Sequence, residues 1–337
     1  MIKTVSLLAS LAAALMLAST VVLATAGNPA RAAFPGTNGK IVFTSRPEGG
    51  TNEIYTISST GRNLKRLTGN SASDKTPSWS ADGKKIVWER DDSLYKMNAD
   101  GTNQRKIPNT THSNFEIGRY GSYGGNPAFS PNGRKIVFDK GKNIYTINAD
   151  GSNPTRITDA LAGDPAQEKP TFVHPVWSPV GNQMAFSWLS GGAREIHVMT
   201  LFDLANKQTL GPESRVTPAG IGVYRPDWSP NGTQLTYECS EDPCDASTDT
   251  HTYNPEIYKV NADGSLNTRL TNNSADDSYP AFSPTGSKIV FSSNRPSPKD
   301  GSEDYELYIT DADGTGVVRQ LTNNSAMDIL PEWQPVQ

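Results

Sequence analysis

The residues best placed to do chemistry in this chain stand just ahead of a recurring Pro-x-aromatic tripeptide. They are Asp74 and Lys75 before Pro77, Glu168 and His174 before Pro175, and Tyr224 and Arg225 before Pro226. Asp277 and Tyr279 precede Pro280, and Asp328 precedes Pro331. Asp74, Asp277 and Asp328 each fall three residues before their proline. Aspartates repeated at one spacing can be turn caps, because the short carboxylate accepts nearby backbone N–H groups. They can also form a partly acidic ring, flanked by Tyr and His, that holds a cationic or peptide ligand.

Motifs for catalysis are missing. The chain has no Gly-x-Ser-x-Gly elbow, no His-Glu-x-x-His pair and no glycine-rich phosphate loop. Asp311-Ala312-Asp313-Gly314 begins like a calcium loop, but no Glu follows at the required distance. His112, His174, His197 and His251 are scattered, and His174 near Glu168 is the pairing open to a metal or acid–base role. No cofactor is called for, while a divalent cation in a channel stays compatible with these residues.

The elements that must position these residues are written in a repeat. PSWSADGKKIVW starts at Pro77, PAFSPNGRKIVF at Pro127, PVWSPVGNQMAF at Pro175, PDWSPNGTQLTY at Pro226 and PAFSPTGSKIVF at Pro280, and a short PEWQP starts at Pro331. The prolines lie 48 to 54 residues apart, a period that means an array or a propeller. Apolar triplets such as Ile41-Val42-Phe43 and Ile136-Val137-Phe138 predict strands covered on both faces. A third strand recurs around Tyr55, Tyr95, Tyr145, His197, Tyr258 and Tyr308, and a short polar outer strand follows, as in Arg66-Leu67-Thr68. Asp-Gly and Asn-Gly turns join them, since glycine accepts positive φ freely.

Each repeat therefore makes four antiparallel strands, and the whole is predicted to be an all-β, six-bladed β-propeller. The first repeat lacks its Pro-x-Trp strand, and Pro331-Glu332-Trp333 is expected to supply it, closing the ring with the C-terminal strand and removing exposed sheet edges. In that ring the segment before each proline reaches one mouth of the central channel. The insertions 108–125 and 159–174 extend loops there or on the opposite side. The Pro-x-aromatic rings Trp79, Phe129, Trp177, Trp228, Phe282 and Trp333 are expected to pack between blades.

The pattern Pro-x-Trp-Ser-Pro-x-Gly-x-x-Ile-x-Phe, then Glu-Ile-Tyr-x-x-Asn-Ala-Asp-Gly and Arg-Leu-Thr, resembles the TolB-type propeller repeat, also called the WD40-like repeat. The resemblance runs from Phe34 to Pro335 and implies the propeller fold. TolB proteins carry an α/β domain ahead of the propeller and bind a peptidoglycan-associated lipoprotein; here 33–337 is read as propeller alone.

Composition narrows the setting. Residues 1–32 have the parts of a secretory signal peptide: Lys3, the apolar run from Val5 to Ala26, and small residues at Ala30-Arg31-Ala32. An uncleaved anchor is the alternative, and the mature chain contains no membrane span. Removing this leader takes the formal charge from −4 to −6, which argues against a nucleic-acid partner. Cys239 and Cys244 are expected to form a local disulfide in an oxidising compartment. The expected protein is an exported monomer, periplasmic or extracellular. It binds a protein or peptide, including an envelope-associated one, at one channel mouth; the alternative is a polysaccharide lyase or hydrolase using channel carboxylates and His, with or without a metal.

Overall fold

The structure is a computed structural model that describes residues 35–112, 115–116, 122–123, 125–159, 170–180, 182–191, 193–202, 209–210, 213–218, 222–242, 244, 252–296 and 304–337. Six antiparallel sheets form the blades of a propeller, with no helix among the described residues. Blade 1 runs, from channel to outer edge, Met327–Val336, Thr37–Arg46, Glu53–Ser58 and Lys65–Arg66. Its innermost strand comes from the C-terminus, pairing Ile41 with Trp333 and Val42 with Glu332. The inner strands of blades 2 to 6 are Asp74–Trp79, Gly125–Phe129, Thr171–Trp177, Val223–Trp228 and Asp277–Phe282. Blade 4 departs from the four-strand plan, because its long third strand, Ala193–Phe202, pairs with both Thr209–Leu210 and Ser214–Arg215.

Burial explains why these strands read as unbroken apolar runs. Six hydrophobic clusters each span two neighbouring blades, so the core is a ring of interfaces rather than one centre. Trp79, Phe129, Trp177, Trp228, Phe282 and Trp333 are all buried within it. Within every blade the second-strand aromatic faces the third-strand ring across the sheet: Phe43–Tyr55, Trp88–Tyr95, Phe138–Tyr145, Phe186–His197, Tyr237–Tyr258 and Phe291–Tyr308. Their centroids are 5.7 to 6.0 Å apart. Such cross-strand pairs set register as well as adding packing energy. His197 replaces the tyrosine without leaving the stack, and its Nε2 meets Glu195 Oε2 at 2.9 Å.

Loops are fixed by repeated side-chain caps. One threonine per blade (Thr68, Thr110, Thr158, Thr217, Thr271, Thr322) accepts the N–H of the third-strand residue just before the paired ring, at 2.8 to 3.1 Å. Asp100, Asp150, Asp263 and Asp313 each accept the N–H two residues on, holding the Asp-Gly hairpins. Cys239 and Cys244 form a disulfide beside the inner strand of blade 5. The leader, Phe34 and parts of the insertions 108–125 and 159–174 lie outside the described residues.

If the C-terminal strand closes the ring, Trp333→Ala should cost about 3–5 kcal/mol, the usual price of emptying a large aromatic site. Urea unfolding of the full chain measures it, and a loss below about 1 kcal/mol would contradict this packing.

Candidate functional site

The channel is shaped by what proline does to the six inner strands. Each carries Pro in mid-strand, where the missing N–H cannot join the ladder. The strand therefore breaks register at that point in every blade. The residue before each proline takes up the slack with a left-handed backbone: Thr76 (φ 52°), Asn126 (33°), His174 (52°), Arg225 (54°), Tyr279 (58°) and Leu330 (58°). None is glycine, and such conformations cost of order 1–3 kcal/mol each unless the surroundings impose them. These six residues, their prolines and the residues after them line a central cavity of about 140 Å³.

The preceding blade holds several of these residues. His174 N–H donates to Asp139 Oδ2 (3.0 Å), Arg225 N–H to Ser187 Oγ (3.2 Å) and Tyr279 N–H to Glu238 Oε2 (3.3 Å). All three acceptors occupy the same place on the second strand of their blade. The rim side chains are then tied laterally. Arg225 pairs with Glu238 at 2.9 Å and lies over the Tyr279 ring at 4.2 Å, a cation–π contact. Burial, assisted by the Arg225 charge, holds the His174 imidazole well below its ordinary value, so it is neutral at physiological pH. Burial likewise raises Asp139 to about 6.

His174, Arg225 and Tyr279 are thus brought together on the cavity wall. The other residues singled out from sequence lie elsewhere. Asp74 and Asp277 are fully buried inside their blades: Arg90 donates to both Asp74 oxygens at 2.6 and 2.8 Å, and Arg295 donates to Asp277 at 2.6 Å. Asn70, Asn273 and Asn324 reach from the previous blade to Asp74, Asp277 and Asp328 at 2.8, 2.8 and 2.9 Å. These aspartates clasp blades together and do not line the cavity. Lys75 sits 3.4 Å from Glu89 Oε1, and Tyr224 is buried between Arg194 and His174. Glu168 lies outside the described residues.

Two acids that the sequence reading passed over occupy the channel itself, at the x of Pro-x-aromatic. Asp227 accepts Phe282 N–H of the next blade at 2.7 Å; Glu332 accepts Trp79 N–H at 2.9 Å and the Ser78 hydroxyl at 3.2 Å. Among the described residues no cation lies within ion-pair distance of either. Desolvation accordingly pushes Asp227 to about 7, and Glu332, which also feels Asp227, to about 8. The signal was in the text: the x residues read Ser, Ala, Val, Asp, Ala and Glu, two carboxylates among small or apolar side chains.

No family model matches the chain. Its fold matches that of TolB from Acinetobacter baumannii with a TM-score of 0.64 at 19% identity, covering 88% of this chain and 67% of that one. It also matches a putative TolB from Agrobacterium tumefaciens with a TM-score of 0.59 at 21% identity, covering 89% of this chain and all of that one. The fold is a TolB-like propeller. In sequence, a TolB homologue from Chlorobium luteolum is 30% identical over 124 residues, covering 36% of this chain and 23% of its own length. An uncharacterized peptidase, YuxL, from Bacillus subtilis is 31% identical over 163 residues, covering 40% of this chain and 24% of its own. The chain spans only about a quarter of these two relatives.

Glu332 gives a pH test. Its folded value of about 8 exceeds the ordinary unfolded value near 4.3. Folded protein therefore keeps a proton that the unfolded chain releases, and stability falls as pH rises through that window. Glu332→Gln keeps an acceptor for Trp79 N–H and removes the ionisation. Its Tm should equal that of the parent near pH 4, below the unfolded value, and exceed it by about 2–5 °C at pH 8.5. A variant less stable at both pH values would show an ionised, stabilising carboxylate instead.

Proposed function

We propose that this TolB-like propeller is an exported, non-catalytic binding protein that holds a segment of a protein or peptide at the mouth of its channel. One observation carries the reading: six equivalent left-handed positions on one rigid frame present six different side chains, Thr76, Asn126, His174, Arg225, Tyr279 and Leu330. Uniform backbone with varied side chains is how a scaffold carries recognition. Because neighbouring blades already order the rim, binding loses little conformational entropy there.

Cavity size favours a peptide. About 140 Å³ is below the roughly 300–1,000 Å³ of sites that engulf drug-sized ligands. It accommodates one side chain or a chain end, with the rest of the partner spread over Arg225, Tyr279 and the rim. The leader-like first 32 residues and the Cys239–Cys244 disulfide support export to an oxidising compartment. Likeness to TolB supports an envelope-associated protein as the partner, met by a single copy of this chain.

Selection of a random-peptide library on the full chain tests this. Enriched peptides should lose about tenfold or more in affinity with Tyr279→Ala or Arg225→Gln, the behaviour of anchor residues. Asp263→Asn, on a peripheral hairpin, should change nothing. Peptides indifferent to the two rim variants would overturn the reading.

One observation favours a second reading, acid–base catalysis on a polysaccharide: Asp227 and Glu332 share the channel with values near neutrality, where proton transfer is most efficient. Turnover of any member of a glycan panel, lost in Glu332→Gln, would establish it; no turnover between pH 6 and 8 would dismiss it.

A further inference from the structure

Blade 2 breaks the clasp that three other blades share. Two residues after the capping threonine, blades 1, 5 and 6 place Asn70, Asn273 and Asn324, each donating to the aspartate of the next inner strand. In blade 2 the residue two after Thr110 is His112, and Gly124 stands where the aspartate would be. The imidazole turns instead toward Glu89 on the second strand of its own blade and Asp92 in the adjoining hairpin. One ligand atom from each of Glu89, Asp92 and His112 lies within 4.8 Å of the others.

The histidine is set up as a ligand. Its side chain has no exposed surface, and Nδ1 lies 2.9 Å from the Thr110 carbonyl. A carbonyl only accepts, so Nδ1 carries the hydrogen and Nε2 faces the carboxylates. Nε2 lacks a well-formed hydrogen bond; its carboxylate neighbour, Glu89 Oε1, stands 3.5 Å away, a loose ion pair when the ring is protonated. Burying that nitrogen unsatisfied is costly. A backbone carbonyl fixing the tautomer is the usual outer support of a metal-bound imidazole.

The neighbours hold the ligands still. His112 N–H donates to the Asp92 carbonyl at 2.9 Å, and Thr110 ties the same loop to Leu94 N–H. Gly125 of blade 3, at φ 88°, presses on Glu89 so closely that a Cβ there would stand 2.4 Å from Oε2. Lys75 is a competing cation, 3.4 Å from Glu89 Oε1 and partly exposed.

We infer that Glu89, Asp92 and His112 form a divalent transition-metal site on the channel-mouth side, between blades 2 and 3. One imidazole and two carboxylates suit Zn²⁺, with water or a partner's side chain completing the coordination. The inference stands apart from peptide binding, because none of the three residues lines the central cavity.

Zinc titration of the untagged full chain, followed by calorimetry and elemental analysis after dialysis, tests it. Expected are one zinc per chain and a loss with His112→Ala beyond the roughly 10–100-fold seen for outer-shell partners. Lys75→Met should tighten binding several-fold, and His251→Gln should leave it unchanged. Should His112→Ala misfold, anomalous scattering from zinc-soaked crystals of the parent locates the ion, expected about 2.0–2.1 Å from His112 Nε2. No zinc bound, zinc located elsewhere, or affinity retained in a folded His112→Ala would overturn the site.

Discussion

Everything in this molecule's channel follows from a proline that cannot donate a hydrogen bond. Placed in mid-strand in all six inner strands, it forces a register break and a left-handed residue ahead of it. Such a conformation needs support from its surroundings. In three blades the holder is a side chain from the blade before: Asp139, Ser187 or Glu238. Asp227 and Glu332 repeat the device one step deeper, accepting N–H groups of Phe282 and Trp79 in the following blade. The ring is thus locked by polar links as well as by the aromatic interfaces, and the rim side chains inherit its rigidity.

Acids in this ring do two different jobs, and their surroundings separate them. Asp74 and Asp277 lie fully buried and meet arginine and asparagine, which give each carboxylate charge-assisted hydrogen bonds inside the fold. Among the described residues Asp227 and Glu332 meet N–H and hydroxyl donors but no cation, and desolvation pushes both toward neutrality. A positively charged group entering the channel would favour their ionised forms, which links occupancy of the channel to proton release.

Much of the fold was legible because a propeller repeats its physics. Apolar triplets marked the second strands, Tyr55 and its equivalents the third, and Pro331-Glu332-Trp333 the closing strand. The site was less legible. The aspartates three before Pro77, Pro280 and Pro331 are periodic, each four after an asparagine. Yet the inward direction of Asp74 and Asp277 also depends on Arg90 and Arg295, 16 and 18 residues away. Two positions farther along, at the bulge, the residues meet the channel, so His174, Arg225 and Tyr279 line it while Tyr224, one position earlier, does not. Asp227 and Glu332 were hidden inside the repeat motif, where a variable x looks like filler until the cavity shows that x faces inward. His112 is the reverse case: conspicuous as a histidine, it acquires meaning only when set against Asn70, Asn273 and Asn324.

The central claim is that links between blades hold the rim in a preorganised, left-handed conformation. Native-state hydrogen exchange at the amides of His174, Arg225 and Tyr279 tests it most directly. The account predicts protection close to that of global unfolding, with Tyr279 losing it selectively in Glu238→Ala. Exchange of all three amides at the rate of an open loop, in the parent protein, would contradict it.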